Sequence, residues 1–326
     1  MLSGYIVGFI KFLIPDRFLC KRRKDISGQI VLVTGAGSGL GRLLAIEFSE
    51  LDAIVVLVDI NKNGMNETKS LMNSLAKAYV YECDVSNRHS LILTEKLLNP
   101  GSRTFIYHCD ISDRDRVYQV ARDIKEQVGK VDILVNNAGN VSGKRFLEIP
   151  DEEIEKTVHV NALSHFWMGK AFLPDMMQSN KGHIVSIASL AGVSGLPNLT
   201  DYCASKFAAV GFMESLKLEL DAQKKDGIKL TLVCPSLIST GLFEGTKPPL
   251  TVLMTPEYVA SEIVNAVLEE TDFVMLPRWM YIIILLKWTM PRRAVERFYA
   301  NSGLLEFMDT FKGRATKNNS NQTQKM

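Results

Sequence analysis

No apolar run in this chain of 326 residues reaches the roughly 18–20 residues that a simple helix needs to cross a bilayer. The five cysteines, Cys20, Cys83, Cys109, Cys203 and Cys234, are odd in number and include no Cys-x-x-Cys pair. That argues against a disulfide framework and against a zinc site, so no metal is expected. A reduced, cytosol-facing body is the simplest account. The net charge is only +2, too small for the basic surface of a nucleic-acid binder, so no nucleic-acid partner is expected. Gly and Pro stand at 22 and 11, too few for a collagen-like or low-complexity chain. What remains is an ordinary globular composition, long enough for one α/β domain with extensions.

Charge is unevenly placed. Residues 1–24 hold six Lys/Arg against one Asp, ending in Lys21-Arg22-Arg23-Lys24. The first fourteen residues are strongly apolar apart from Lys11. No basic stretch precedes them and no small-residue cleavage site follows, so a cleaved signal peptide fits poorly. About 13 helical residues cover only about 20 Å, short of a span. The pattern predicts a membrane-association segment over 1–24 that lies in one leaflet with its basic flank among headgroups. A second apolar stretch, 279–288, carries Trp279, Tyr281 and Trp288 with Arg278, Arg292 and Arg293 nearby. It reads equally as an interfacial helix or as a C-terminal helix completing the core or covering the pocket. The predicted divisions are thus 1–24, a catalytic domain over 25–276, a helical extension over 277–314 and a disordered polar tail over 315–326.

Between residues 27 and 276 apolar strands alternate with helical stretches. Strands are predicted at Ile30–Thr34, Ile54–Asp59, Ile133–Asn136, Gly182–Ile187 and residues 229–234. Helices are predicted over 43–51, 117–128, 152–173 and 202–222. Continuous apolar strands separated by helices imply a doubly wound parallel sheet with helices on both faces. Ligands of such sheets bind outside the C-terminal strand ends.

The first strand runs into Thr34-Gly35-Ala36-Gly37-Ser38-Gly39-Leu40-Gly41. Gly35, Gly37, Gly39 and Gly41 permit a tight turn and a close backbone approach, the helix that follows aims its N–H groups at a pyrophosphate, and Ser38 and Leu40 of the same loop are counted with the cofactor-binding residues. Asp59, at the end of the next strand, is placed to accept from both adenosine ribose hydroxyls and to repel a 2′-phosphate. No cation stands at position 38, so NAD is favoured over NADP, with Lys62 the one nearby cation pulling the other way.

Tyr202 and Lys206 are spaced i, i+4 and share a helix face, downstream of Ser189. A phenol with a pKa of about 10 is a poor base at neutral pH, and a neighbouring ammonium is expected to lower it. Tyr202 then takes a proton from an alcohol while hydride leaves, and Ser189 holds the substrate oxygen.

With Asn136-Asn137-Ala138-Gly139 added, these motifs closely resemble the short-chain dehydrogenase/reductase superfamily over about residues 27–275. The resemblance implies a Rossmann-type fold and NAD-dependent alcohol oxidation. It implies that Asn161, in Val158-His159-Val160-Asn161, is a fourth catalytic residue holding a water in a relay to Lys206. It also implies that Asn137, Ala138 and Gly139 line the cofactor site and that Thr240 meets the carboxamide end. Pro235-Ser236 stands where the family commonly has Pro-Gly, a slight change to that loop.

A closer resemblance, carried by residues 34–42, 162–167, 170–174 and 201–207 and by the apolar, basic N-terminus, is to the membrane-bound subgroup of epidermal-type retinol dehydrogenases and lipid-droplet 17β-hydroxysteroid dehydrogenases. It implies a lipophilic alcohol, all-trans-retinol first, and residence on the endoplasmic reticulum membrane or lipid droplets with the catalytic domain facing the cytosol. A homo-oligomer is compatible with it. The alternatives are a 17β-hydroxysteroid dehydrogenase or a catalytically weak lipid-surface protein that keeps the fold.

One feature departs from the pattern. Glu82-Cys83-Asp84-Val85-Ser86-Asn87-Arg88 is echoed by His108-Cys109-Asp110-Ile111-Ser112-Asp113-Arg114, a partial duplication of the third strand and its cofactor-side Asp. Only one of Asp84 and Asp110 can stand at the adenine-side strand end. Connectivity to the helix over 117–128 favours Asp110. A displaced third strand would weaken cofactor binding and is the one support for the inactive alternative.

Overall fold

The computed structural model describes residues 23–72, 104–246 and 253–313. Seven parallel strands form one sheet: β1 Ile30–Thr34, β2 Ile54–Asp59, β3 Thr104–His108, β4 Ile133–Asn136, β5 Gly182–Ile187, β6 Ile228–Pro235 and β7 Phe273–Leu276. Their order is β3-β2-β1-β4-β5-β6-β7. The chain winds outward from β1 to β3, then returns to start β4 on the other side of β1. The crevice at that reversal, outside the C-terminal ends of β1 and β4, is where such sheets bind ligands. The central strands are built of Val, Ile and Leu buried on both faces, as a helix-covered parallel sheet requires.

The helices are α1 Gly39–Glu50, α2 Lys62–Leu71, α3 Arg114–Gln127, α4 Asp151–Val158, α5 Ser164–Ser179, α6 Thr200–Ala222, α7 Pro256–Leu268, α8 Met280–Thr289 and α9 Arg292–Asn301. Leu44 and Phe48 of α1 meet Ile263 and Val267 of α7 on one face of the sheet. Val117 and Ile124 of α3, Met168 and Phe172 of α5 and Met213 of α6 cover the other. Trimming a side chain as buried as Phe48 to Ala costs about 3–5 kcal/mol.

The helix expected over 152–173 is present, running unbroken from α4 into α5 through a π-helical segment, His159–Leu163. Ser164 Oγ donates back to Val160 O at 2.6 Å in this turn, which carries Asn161 into the interior. The strand beside β2 is the one that leads into the second copy of the repeat: Asp59 is in register with His108, and Cys109 N donates to Asp59 O at 3.0 Å. The first copy, with Cys83 and Asp84, lies outside the described residues.

Two residues of the basic flank of the N-terminal segment fall within the described residues. Most of 1–24 lies outside the described residues, as does the tail 315–326. Arg23, exposed, and Lys24, half-buried, both bond to the folded body. Arg23 donates to Asn265 Oδ1 at 2.8 Å, and Lys24 N donates to Leu268 O at 2.8 Å. Lys24 Nζ lies 2.7 Å from His183 Nδ1, and His183 Nε2 lies 2.8 Å from Thr231 Oγ1. Thr231 donates its own proton to Thr271 O at 2.7 Å, so Nε2 carries the hydrogen and Nδ1 accepts from Lys24. Burial holds the His183 pKa well below its usual value, in keeping with a neutral ring.

Candidate active site

The glycine-rich loop turns where its backbone demands glycine. Gly35 and Gly39 have φ of +69° and +54°. A Cβ on Gly41 would run into the Gly35 carbonyl, and one on Gly37 would stand 3.0 Å from Asp59 Oδ2. Ser38, the N-cap of α1, makes no side-chain cap bond to the helix, whereas Asn61 and Asp113 cap α2 and α3. The N–H groups at the start of α1 suit an anion, and the donor set fits a dinucleotide pyrophosphate.

Asp59 is half-buried and accepts from Gly37 N and Asn61 N, both at 2.8 Å, so it also shapes the loop. Asp110 accepts from Ser112 N and Ser112 Oγ and faces the same cavity as Asp59. Asn137 N donates to Thr34 Oγ1 at 3.0 Å and its Nδ2 to Thr34 O at 2.9 Å. Ala138 N also donates to Thr34 Oγ1, at 3.1 Å. These bonds clamp the ends of β1 and β4 together under the crevice. Thr34 carries this clamp, and sequence reasoning gave it no role.

Ser189, Tyr202 and Lys206 meet at the far end of the crevice. Ser189 follows β5, and its Oγ accepts from Ala191 N at 3.1 Å. Lys206 is buried and donates to Ile187 O at 2.8 Å, its Nζ 5.8 Å from the Tyr202 ring centroid. Burial pulls the Lys206 pKa down to about 8. The expected lowering of the Tyr202 pKa is not met in this geometry. Burial dominates and raises it, and hydrogen bonding from Ser189 is the influence that opposes.

Asn161 Oδ1 accepts from Asn140 N at 2.8 Å, while its Nδ2 donates to Asn140 O at 2.8 Å and Ser205 Oγ at 3.0 Å. A Cβ built on Gly139 would stand 3.5 Å from Asn161 Oδ1 and 3.8 Å from Lys206 Nζ, so both groups border the space at Gly139. Asn140 and Ser205 were missed as positioning residues. Ser205 sits within the Tyr-Cys-Ala-Ser-Lys motif, which was the available signal.

One continuous cavity of about 2130 Å³ joins these groups. Every proposed site residue named above borders it except Gly39 and Asn161, and Thr240 borders it too. Its outer half is apolar. Phe307 and Met308, from beyond α9, are buried against Tyr202, Leu199 and Ala191, with Phe243 and Phe311 packed alongside. Tyr202 meets Phe243 edge-on at 5.6 Å. The stretch 279–288 covers the pocket, with Met280, Ile283 and Ile284 lining it. Among the described residues no helix is long and apolar enough to cross a membrane.

A doubly wound sheet, a glycine-turned loop at its switch point and a Ser/Tyr/Lys group beside an apolar chamber define a nucleotide-dependent oxidoreductase. The sequence profile of the short chain dehydrogenase family matches residues 29–94 and 92–250, each segment containing one copy of the repeat, and the chain belongs to this family. It is 47% identical to short-chain dehydrogenase/reductase family 16C member 6 of Bos taurus, over 83% of this chain and 79% of that protein. It is 43% identical to epidermal retinol dehydrogenase 2 of Mus musculus, over 92% and 90% of the two chains. It is 41% identical to retinol dehydrogenase 10-B of Danio rerio, over 94% and 92%. A short chain dehydrogenase/reductase from Burkholderia phymatum, solved in complex with NAD, shares the fold. Its TM-score is 0.67 at 22% identity, covering 84% of this chain and 96% of that one.

Proposed function

We propose that this chain oxidises a lipophilic primary alcohol, all-trans-retinol first, with NAD as the acceptor. The observation that carries the reading is the position of Tyr202, whose ring packs against Phe243, Phe307 and Met308 at the inner end of an apolar chamber. An alcohol drawn in by its hydrocarbon body meets the Tyr202 and Ser189 hydroxyls at that end. The retinol dehydrogenase relatives support the substrate class.

Gly35, Gly37, Ser38, Gly39, Leu40 and Gly41 would hold the pyrophosphate, Asp59 the ribose and Asp110 the adenine side. Asn137, Ala138, Gly139 and Thr240 would line the nicotinamide half. NAD bound there supplies a hydride acceptor. Ser189 Oγ holds the substrate oxygen, and Tyr202 Oη takes its proton as the carbinol C–H bond breaks and the carbonyl forms. The Lys206 ammonium favours the negative phenolate at that moment, and Asn161 shapes the space through which the proton leaves. Residues 1–24 would keep the chain at an endoplasmic reticulum or lipid-droplet surface, where such alcohols dissolve.

The test is NADH formation in membranes from cells expressing the full chain, with all-trans-retinol and estradiol in parallel, NAD or NADP, and Tyr202→Phe as the blank. Tyr202-dependent turnover of retinol with NAD is expected. Turnover of estradiol alone overturns the retinoid assignment. Loss of all turnover with NAD binding intact overturns the alcohol class, and loss of NAD binding overturns the enzyme reading.

A further inference from the structure

Arg42, in the first turn of α1, borders the cavity together with Asp59, Asn63 and Glu67, whereas Lys62 does not. Gly37 ties the charges together. Asp59 Oδ2 accepts from Gly37 N at 2.8 Å, and Arg42 Nη2 donates to Gly37 O at 2.8 Å. Carboxylate and guanidinium therefore grip opposite ends of one residue and stand within about 9 Å of each other. That is inside the roughly 10 Å over which charges act at 0.1 M salt. Glu67 of α2 completes the set, its Oε2 accepting from the same Arg42 Nη2 at 2.8 Å.

We infer that Glu67 is a second cofactor-selection residue. It cancels the Arg42 cation that a 2′-phosphate would otherwise meet, so the preference for NAD over NADP is shared between Asp59 and Glu67. The role assigned to Glu67 rests on NAD occupying the crevice, and it adds what sets the choice between the two dinucleotides. Stability does not account for the carboxylate. Arg42 is held without it, because Nε donates to Thr68 Oγ1 at 3.1 Å and Nη2 to Gly37 O and, at 3.4 Å, to Gly64 O. The Glu67 side chain is 66% exposed, and ion pairs so exposed contribute little to folding. What Glu67 does change is charge. With it, the Arg42 pair is neutral and Asp59 leaves this end of the crevice negative. Without it, Arg42 stays in place and offsets Asp59. A 2′-phosphate brings close to two negative charges, whereas NAD has a neutral hydroxyl there. Any pull of Arg42 on the pyrophosphate is common to both dinucleotides and drops out of the ratio of their affinities.

The test is titration calorimetry of NAD and of NADP into purified full-length protein, with no alcohol present. Glu67→Gln is expected to move the ratio of the two dissociation constants about fivefold toward NADP at low salt, the effect of two charges at about 8 Å near a protein surface. Glu67→Lys should move it further in the same direction. Both shifts should fall below about twofold at about 0.5 M salt, where screening shortens the reach of Arg42. Adding Arg42→Gln to Glu67→Gln should cancel the shift. That double change also frees the Gly37 and Gly64 carbonyls, so its folding is checked by thermal unfolding. If it does not fold, the graded and salt-sensitive shifts of the two Glu67 variants decide the matter. An unmoved ratio in both Glu67 variants overturns the inference. Equal losses of NAD and NADP affinity overturn it too, and make the ion pair a brace for the glycine loop. A shift that survives the loss of Arg42 overturns the part given to that cation. Wild-type protein that binds neither dinucleotide overturns the NAD reading and this inference with it, whereas NAD binding with an unmoved ratio overturns this inference alone.

Discussion

The side-chain amide of Asn161 and the backbone of Asn140 exchange two hydrogen bonds, each 2.8 Å long. Asn161 is wholly buried on the wide turn between α4 and α5, so no water replaces it when it is cut away. Asn161→Ala leaves the N–H and C=O of Asn140 unpaired, at about 1–3 kcal/mol each. The variant is expected to lose about 2–4 kcal/mol in urea unfolding as well as turnover. Lost turnover with unchanged unfolding would show that Asn161 acts on the chemistry without holding Asn140.

Gly139 separates that structural part from the proton path. An added methyl there makes only ordinary contacts with Asn161 Oδ1 and Lys206 Nζ, and the backbone is not left-handed, so the fold should tolerate it. The methyl occupies the space that a relaying water would need. Gly139→Ala is expected to unfold at the wild-type denaturant concentration yet lose at least about tenfold in kcat, with a changed solvent isotope effect. Wild-type kcat would remove the relay from this space.

The sheet was legible because its strands are short apolar runs with turn residues at both ends. The limits of β1, β2, β4 and β5 coincide with those expected, and β6 is two residues longer. Local sequence also marked the Tyr202/Lys206 pair, since helical spacing alone puts both on one face. What stayed hidden depends on distant contacts. Phe307 and Met308 lie in a segment without periodicity, and only tertiary packing brings them to Tyr202. The raised phenol pKa reflects that same burial, which residue spacing does not report. The π-helical segment at residues 159–163 was illegible because it adds one residue to a continuing helix without any Pro or Gly to mark it. The repeat offered two candidates for β3, and register with β2 decides between them.

Burial of Tyr202 predicts opposite pH behaviour in the two reaction directions. With its pKa raised above the ordinary phenol value, the phenolate fraction grows about tenfold per pH unit across the neutral range. Alcohol oxidation needs that base, so its kcat/KM should rise with pH. The slope should ease above about 8, where Lys206 loses the charge that favours phenolate. Carbonyl reduction needs the phenol as acid, already protonated, and should be flat over the same range. A plateau in the oxidation profile well below neutral pH would contradict a raised phenol pKa.

Asp59 serves the loop and, by proposal, the ribose. Asp59→Ala removes a charged acceptor from Gly37 N and from the sugar hydroxyls, contacts worth about 1.5–3 kcal/mol for a charged group. NAD affinity is expected to fall about ten- to a hundredfold while NADP affinity falls less or rises, since the repelling carboxylate is gone. Isothermal titration with both cofactors measures the ratio. An unchanged ratio would confine Asp59 to holding the loop.

Tyr299 of α9 reaches back to Ser194, five residues beyond Ser189, through a 2.6 Å hydroxyl–hydroxyl bond. Lys287 of α8 makes a parallel tie, donating to Val193 O at 2.8 Å. Together they pin the C-terminal cover to the segment that carries the substrate-side hydroxyl. A neutral bond of this kind contributes about 1 kcal/mol, small against the apolar packing of Phe307 and Met308. Tyr299→Phe therefore should not unfold the cover but should let it open more often. The rise in KM for a long-chain alcohol is expected to be about fivefold, with kcat changed less than about twofold, because Ser189 and Tyr202 keep their own contacts. A short alcohol that never reaches the cover should show no change in KM. Equal effects on both alcohols would place Tyr299 in the support of Ser189 rather than in the cover, and a fall in kcat alone would do the same.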